Sequence, residues 1–306
     1  MPFICIPGSF HLVGRTAGGK PSGLEPDGDS IHFRPDDPAL LERLERQPGG
    51  QRFRLSAIGS LNLRMEGIDA LEIHYTPSIK GAHRSHQPRE FADAARDALT
   101  GFLGMNPVPY AQPANVRVKP PVPVDGVRGA ILSRALDVHG RPVSFVFAGK
   151  APGRGGAEVR LARTQLRRSL NHRMVAAGAA YPLFYDTLFK ELRDELAAAA
   201  IKARGRKAGV WRADLGKTGL KAATQADLEA RAVIFPKLFR RLTDYFAEGN
   251  AGLGGFVAWL AATGGENDQV MEPSGNFTHF DNVVSVRRGK VALRYRPEEM
   301  VFISRK

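Results

Sequence analysis

Apolar residues change their period along this chain, and the change limits the folds it can reach. In RFRLSAIGSLNLRMEGID (52–69), Leu61, Leu63 and Met65 share one face while Asn62, Arg64 and Glu66 share the other, as a half-buried strand requires. Strand-like runs also fill residues 9–33 around a Gly/Pro-rich loop, and AILSRALD and RPVSFVFAGK flank the turn VHGR as a β-hairpin. Among them lies one helix-period stretch, PREFADAARDALTGFLG (88–104), opened by Pro and closed by Gly. DPALLERLERQPGG (37–50) reads as a short helix or hairpin insertion, and 107–126 is too rich in Pro for anything but extended edge or linker structure.

Helical spacing then takes over. TQLRRSLNHRMVAAG reads as a helix ending at Gly178, and residues 185–207 align Leu188, Phe189, Leu192, Leu196 and Ala199 in one stripe with a basic C-terminal end that suits the helix dipole. After Trp211 the pattern changes again. Residues 224–246 are amphipathic, with Phe235, Leu238, Phe239, Leu242 and Phe246 at helical spacing and a Pro236 that kinks the helix or starts a second one. A short apolar helix (GFVAWLAATGG), a hairpin (NVVSVRRGKVALRY) and a strand (EMVFIS) follow. The expected class is α+β, divided near residue 215 into a domain of residues 1–214 and a small α+β module of residues 215–306.

Composition narrows the function classes. Cys5 is the only cysteine, which excludes an intrachain disulfide and a cysteine-based metal site. No apolar run is long enough to cross a bilayer, so no membrane association is expected. The start of the chain lacks the basic region and apolar run of a signal peptide, so a cytoplasmic protein is expected, with export by another route left open. Lys and Arg number 44 against 31 Asp and Glu, a formal charge of +13 that draws polyanions such as nucleic acid or anionic lipid.

Three short stretches carry the chemistry. They are Asp27-Gly28-Asp29-Ser30, the run from Arg64 through Asp69 to Glu72, and Asp137 through Gly140-Arg141. Their order and internal spacing resemble the staphylococcal nuclease (thermonuclease) family over roughly residues 9–214, which carries DGDT-type, R-x-x-x-x-D-x-x-E and D-x-x-G-R stretches. The resemblance implies a five-stranded OB-fold β-barrel with packed helices, and a Ca²⁺-dependent nuclease of DNA or RNA that prefers unpaired strands and leaves 3′-phosphates. By the same resemblance, Asp29, Asp69 and the backbone carbonyl of Ala70 hold the ion, Glu72 activates water, and Arg64 and Arg141 grip the phosphate. His139, Tyr181 and Tyr185 stand where the family contacts the base or phosphate. Ala70-Leu71 departs from the family's usual pair ending in Pro, and His139 replaces a common Tyr.

The chemistry is sound without the name. Hydrolysing a phosphodiester calls for an activated water, a hard cation held by oxygen ligands, and arginine forks that donate two hydrogen bonds to the phosphoryl oxygens. Taken singly, each residue has a plainer role: the two aspartates cap a turn, Arg64 pairs with Glu66 or a neighbouring strand, and Asp69 and Glu72 are solvated loop charges. The competing expectation is a non-catalytic OB-fold module that binds nucleic acid or protein, with residues 215–306 as a docking surface for a protein partner. HRSH (83–86) has a metal-like spacing without acidic or Cys companions, and RGRK (204–207) and VRRGK (286–290) are basic patches able to track a phosphate backbone or to lie solvated.

Overall fold

The Gly/Pro punctuation places the first strands where the chain must turn back on itself, and a nearly closed, barrel-like sheet results. The computed structural model describes residues 2–77, 79 and 81–304, and the chain is gathered into two units. The first comprises Met1–Glu66 and Arg96–Met174. Its sheet is built from β1 (Phe3–His11), β2 (His32–Pro35), β3 (Leu61–Asn62), β4 (Arg64–Met65), β5 (Val127–Leu136) and β6 (Pro142–Ala148), in the order β3-β2-β1-β5-β6-β4. Along this order all neighbours are antiparallel except β6 and β4, which run parallel with Val143 opposite Arg64; two further two-residue strands join the sheet, Glu158–Val159 antiparallel to β1 and Glu45–Arg46 parallel to β5.

The two ends of this order are one segment of chain. β3 and β4 are separated only by Leu63, whose N–H donates to the Ile31 carbonyl at 2.9 Å. The bend lets one stretch pair with β2 on one side and β6 on the other, so the sheet curls round and meets itself. Leu61, Leu63 and Met65 are buried, as their alternation predicts, and Phe10, Phe33, Phe145, Ile6 and Ile131 fill the interior with them.

A buried side chain secures the closure. Asn171, on the short helix Leu170–Ala176, accepts from the Val146 N–H at 2.9 Å and donates to the carbonyls of Glu66 at 2.8 Å and Ser144 at 3.0 Å. Ser144 lies at the register shift of β6, where ladder pairing is interrupted; its carbonyl also accepts from the Glu66 N–H at 2.9 Å, and Asn171 adds side-chain bonds to the backbone on both sides of this irregularity.

The second unit comprises Gly67–Ala95 and Val175–Arg305. Residues 175–214 therefore lie in the same unit as the C-terminal segment. Two three-stranded antiparallel sheets, Leu220–Lys221/Lys290–Leu293/Val284–Arg287 and Phe277–His279/Gln269–Met271/Val301–Phe302, accompany the helices, and Tyr181–Pro182 pairs with Ile68–Asp69. The helix-period stretch at 88–104 forms α1 (Arg89–Phe102); of residues 185–207, α2 takes only Lys190–Gly205, so Leu188 and Phe189 of the expected stripe precede the helix. Pro236 starts a second helix and does not merely kink the first. The helix Gln225–Arg231 ends, and α3 (Pro236–Ala247) begins with Pro at its first turn, where the missing N–H costs no hydrogen bond. Residues 163–178 are likewise split, into Arg163–Leu166 and Leu170–Ala176. The 37–50 insertion is a 3₁₀ turn, Pro38–Arg43, followed by the two-residue strand Glu45–Arg46. Among the described residues no helix is long and apolar enough to cross a membrane.

Replacing Asn171 by Ala takes the side-chain partner from the buried Val146 N–H and Glu66 carbonyl, and one of two donors from the Ser144 carbonyl, which keeps the Glu66 N–H. The expected cost is about 3 kcal/mol, at roughly 1–3 kcal/mol for an orphaned buried group with partial relaxation, read from urea denaturation of the variant against the wild type.

Candidate functional site

In the first unit, backbone register brings the DGDS turn, Arg64 and Arg141 to one corner of the barrel. Asp27 closes the turn: its N–H donates to the Ser30 carbonyl at 3.1 Å and its Oδ1 accepts from the Gly28 N–H at 2.7 Å. Asp29 sits at the tip, and its carbonyl accepts from the Met65 N–H at 3.0 Å, which ties the turn to the strand bearing Arg64. Arg64 is opposite Val143 in the parallel pair, and Arg141 precedes Val143 by two residues.

Arg141 is held by its own turn. The buried Asp137 carboxylate accepts from the backbone N–H groups of His139 and Arg141, both at 2.9 Å, and from the Arg141 guanidinium, Nε at 2.8 Å and Nη2 at 2.7 Å. Gly140 makes this turn possible, with φ of +79° and the Arg52 carbonyl oxygen 2.6 Å from where a Cβ would stand. The D-x-x-G-R spacing is thus a device for aiming one guanidinium. His139 is exposed at the turn.

The second unit holds Asp69, Ala70 and Glu72. Asp69 lies opposite Tyr181 in the two-residue pairing, and Asp69, Ala70 and Leu71 are all buried. Gln87 fixes the backbone of Glu72 from both sides: its Oε1 accepts from the Glu72 N–H at 3.1 Å, and its own N–H donates to the Glu72 carbonyl at 2.9 Å. Its Nε2 then donates to the carbonyls of Ala232 at 2.7 Å and Ile234 at 2.9 Å, in the break that Pro236 imposes before α3. The loop is thus held by a glutamine.

Both carboxylates end on one cation from α3. Arg240 donates from Nη1 to Asp69 Oδ1 at 3.1 Å and from Nη2 to Oδ2 at 3.0 Å, and Nη1 also donates to Glu72. Burial works against the charge of Arg240, but Asp69 and Glu72 outweigh it and hold the guanidinium well above its ordinary pKa. One turn further along α3, Asp244 receives the Tyr75 hydroxyl, 2.9 Å from both its oxygens; burial raises the pKa of both groups. Lys237 and Arg241 meet Asp268 at 3.1 and 2.9 Å, and Arg241 also meets Glu266. The polar face of this amphipathic helix is therefore covered by acids and not by solvent.

Asp69 and Glu72 offer hard carboxylate oxygens to a cation they share, which is the donor chemistry Ca²⁺ takes. Among the described residues no group of three or more His, Cys, Asp or Glu side chains is arranged to hold a metal. Tyr181 is fully buried, its hydroxyl donating to Asp214 at 2.8 Å and its ring against Trp211 and Phe235. Tyr185 is partly exposed, with the Lys237 ammonium 5.6 Å from its ring centroid. In HRSH, His86 Nδ1 is 2.9 Å from the Gln87 carbonyl oxygen and His83 is 3.7 Å from Glu229. Of the basic patches, RGRK is partly engaged, with Arg204 paired to Glu298 and Arg206 donating to the Ala176 carbonyl, while Arg287, Arg288 and Lys290 of VRRGK are exposed around a hairpin turn.

Two residues central to this geometry carry no mark in the sequence reading, Gln87 and Arg240. The available signal lay in the complement of the named stripe: with Phe235, Leu238, Phe239, Leu242 and Phe246 inward, Lys237, Arg240, Arg241 and Asp244 share the other side.

Asp268 yields a pH prediction. Burial alone would raise its pKa, but Lys237 and Arg241 hold it below the ordinary aspartate value. A native value below the unfolded one means that Asp268 stabilises the fold at neutral pH and that this contribution disappears as pH falls through the native value. Asp268→Asn is expected to cost about 3 kcal/mol at pH 7 in urea denaturation, since it strands buried cations, and the gap to wild type should narrow on acidification.

The chain matches no family model, and no curated protein matches it.

Proposed function

We propose that the protein is a nuclease that hydrolyses phosphodiester bonds of DNA or RNA with the help of Ca²⁺, on an OB-type barrel. Five strands, counting the bent β3–β4 as one, and near-closure of the sheet support the barrel assignment. The observation that carries the function is the register that sets Arg64 next to the strand following Arg141 while the DGDS turn is bonded to Met65. Two arginines, one of them aimed by a buried aspartate, suit the grip on a phosphate whose oxygens gain charge in the transition state. In the second unit, Asp69 and the Ala70 carbonyl are the proposed oxygen ligands of the ion. When bound, Ca²⁺ supplies positive charge to the phosphoryl oxygens and a place to orient water. Glu72, with its backbone fixed by Gln87, takes the proton from the attacking water.

The second reading is a module that binds nucleic acid without cutting it. The observation that favours it is the Arg240 guanidinium on Asp69 and Glu72, which already neutralises the two carboxylates the chemistry uses. The charge of +13 serves either reading.

Incubating the purified chain with plasmid, denatured DNA and RNA separates the two. The expected result is cleavage in Ca²⁺, faster on unpaired strands, with 3′-phosphate ends and none in chelator. Glu72→Gln and Arg141→Lys should each lower kcat about a hundredfold or more. Undiminished cleavage in chelator or in Glu72→Gln rules out the assigned roles, and binding without cleavage favours the second reading.

A further inference from the structure

We infer that Arg240 is a built-in competitor for the divalent ion: its guanidinium occupies Asp69 and Glu72 and must turn away, toward Asp244, before an ion is bound there. This rests on the proposed roles of Asp69 and Glu72 in the nuclease site.

Arg240 engages both oxygens of Asp69 and one of Glu72. Ca²⁺ needs the Asp69 oxygens at about 2.3–2.6 Å, closer than the guanidinium nitrogens that hold them at 3.1 and 3.0 Å, and two cations cannot share them. Abandoning a buried carboxylate pair with no replacement partner is strongly unfavourable. Here a replacement exists. Asp244 is four residues further along α3, on the face that Arg240 shares, and its carboxylate meets a neutral hydroxyl from Tyr75 with the nearest nitrogen of Arg241 at 3.9 Å. An i,i+4 arginine–aspartate pair is within ordinary side-chain reach on a helix.

The exchange requires no movement of the helix. Gln87 clasps the Glu72 backbone with one end and the carbonyls of Ala232 and Ile234 with the other, so the start of α3 and the acidic loop are tied together whichever carboxylate Arg240 holds. Two side-chain arrangements on a fixed backbone make a switch, and an ion that binds only the open arrangement has its apparent affinity reduced by the open fraction. The C-terminal helix thereby sets the ion concentration at which the site fills.

The test is calorimetric titration of the full-length chain with Ca²⁺, alongside cleavage assays. Arg240→Met removes the competitor and should bind Ca²⁺ at least about tenfold more tightly than wild type, provided the open fraction in wild type is about a tenth or less. Arg240→Lys, which keeps the charge but loses the fork, should fall between them and carries the test if Arg240→Met does not fold. Asp244→Asn, which removes the receiving charge, should weaken Ca²⁺ binding several-fold, and Asp69→Asn should abolish it. Equal or weaker Ca²⁺ binding in the folded Arg240 variants overturns the proposal, as does the absence of Ca²⁺ binding from every variant. Cleavage by wild type with unaltered binding in the Arg240 variants sinks the competitor and leaves the nuclease. Tighter binding in Arg240→Met without cleavage of any nucleic acid keeps the competitor and sinks the nuclease.

Discussion

The first unit depends on a single stretch of chain serving two sheet edges. A five-residue run, Leu61 to Met65, pairs antiparallel with β2 and, after one bend, parallel with β6. An open sheet of this size would present two rows of unpaired N–H and C=O groups, and joining its ends through one strand removes most of both. The parallel contact is short and abuts a register shift, which is why a buried asparagine is needed beside it. The corner that carries Asp29, Arg64 and Arg141 inherits its order from this closure. Arg64 lies on the shared strand, Arg141 on the turn feeding its parallel partner, and Asp29 on the turn bonded to Met65.

A second constraint acts at the acidic loop. Buried carboxylates need partners, and Asp69 and Glu72 find theirs in a guanidinium from a helix about 170 residues away in sequence. Gln87 does the equivalent for the backbone. Its amide spans the gap that Pro236 opens between two helices, where carbonyls without helical partners would otherwise be stranded. Under the proposed function, stability of the loop and readiness of its carboxylates for chemistry oppose each other: the ion pair that makes burial tolerable is the one an incoming cation would have to replace.

Much of the architecture is legible from residues alone. The alternation of Leu61, Leu63 and Met65, the hairpin around VHGR, the Pro-opened helix at 88–104 and the helix start at Pro236 all follow from local stereochemistry, because φ restriction and side-chain period act over a few residues. The split of residues 163–178 into two short helices is less legible. Ser169 makes the break local, its hydroxyl donating to the Leu166 carbonyl and accepting from the His172 N–H, yet no strong breaker residue announces it.

By itself the sequence determined the mixed α+β character, the position of most elements, the spacing of the acidic and basic residues and the surplus of positive charge, since these are properties of neighbours in the chain. Only the tertiary structure decided that the sheet would close through a bent strand, that residues 67–95 would join the C-terminal half, and that Asp69 and Glu72 would meet Arg240. Those outcomes depend on which distant groups can satisfy a buried charge or an unpaired carbonyl, and satisfaction of that kind is settled by packing in three dimensions, where separation along the chain carries no information.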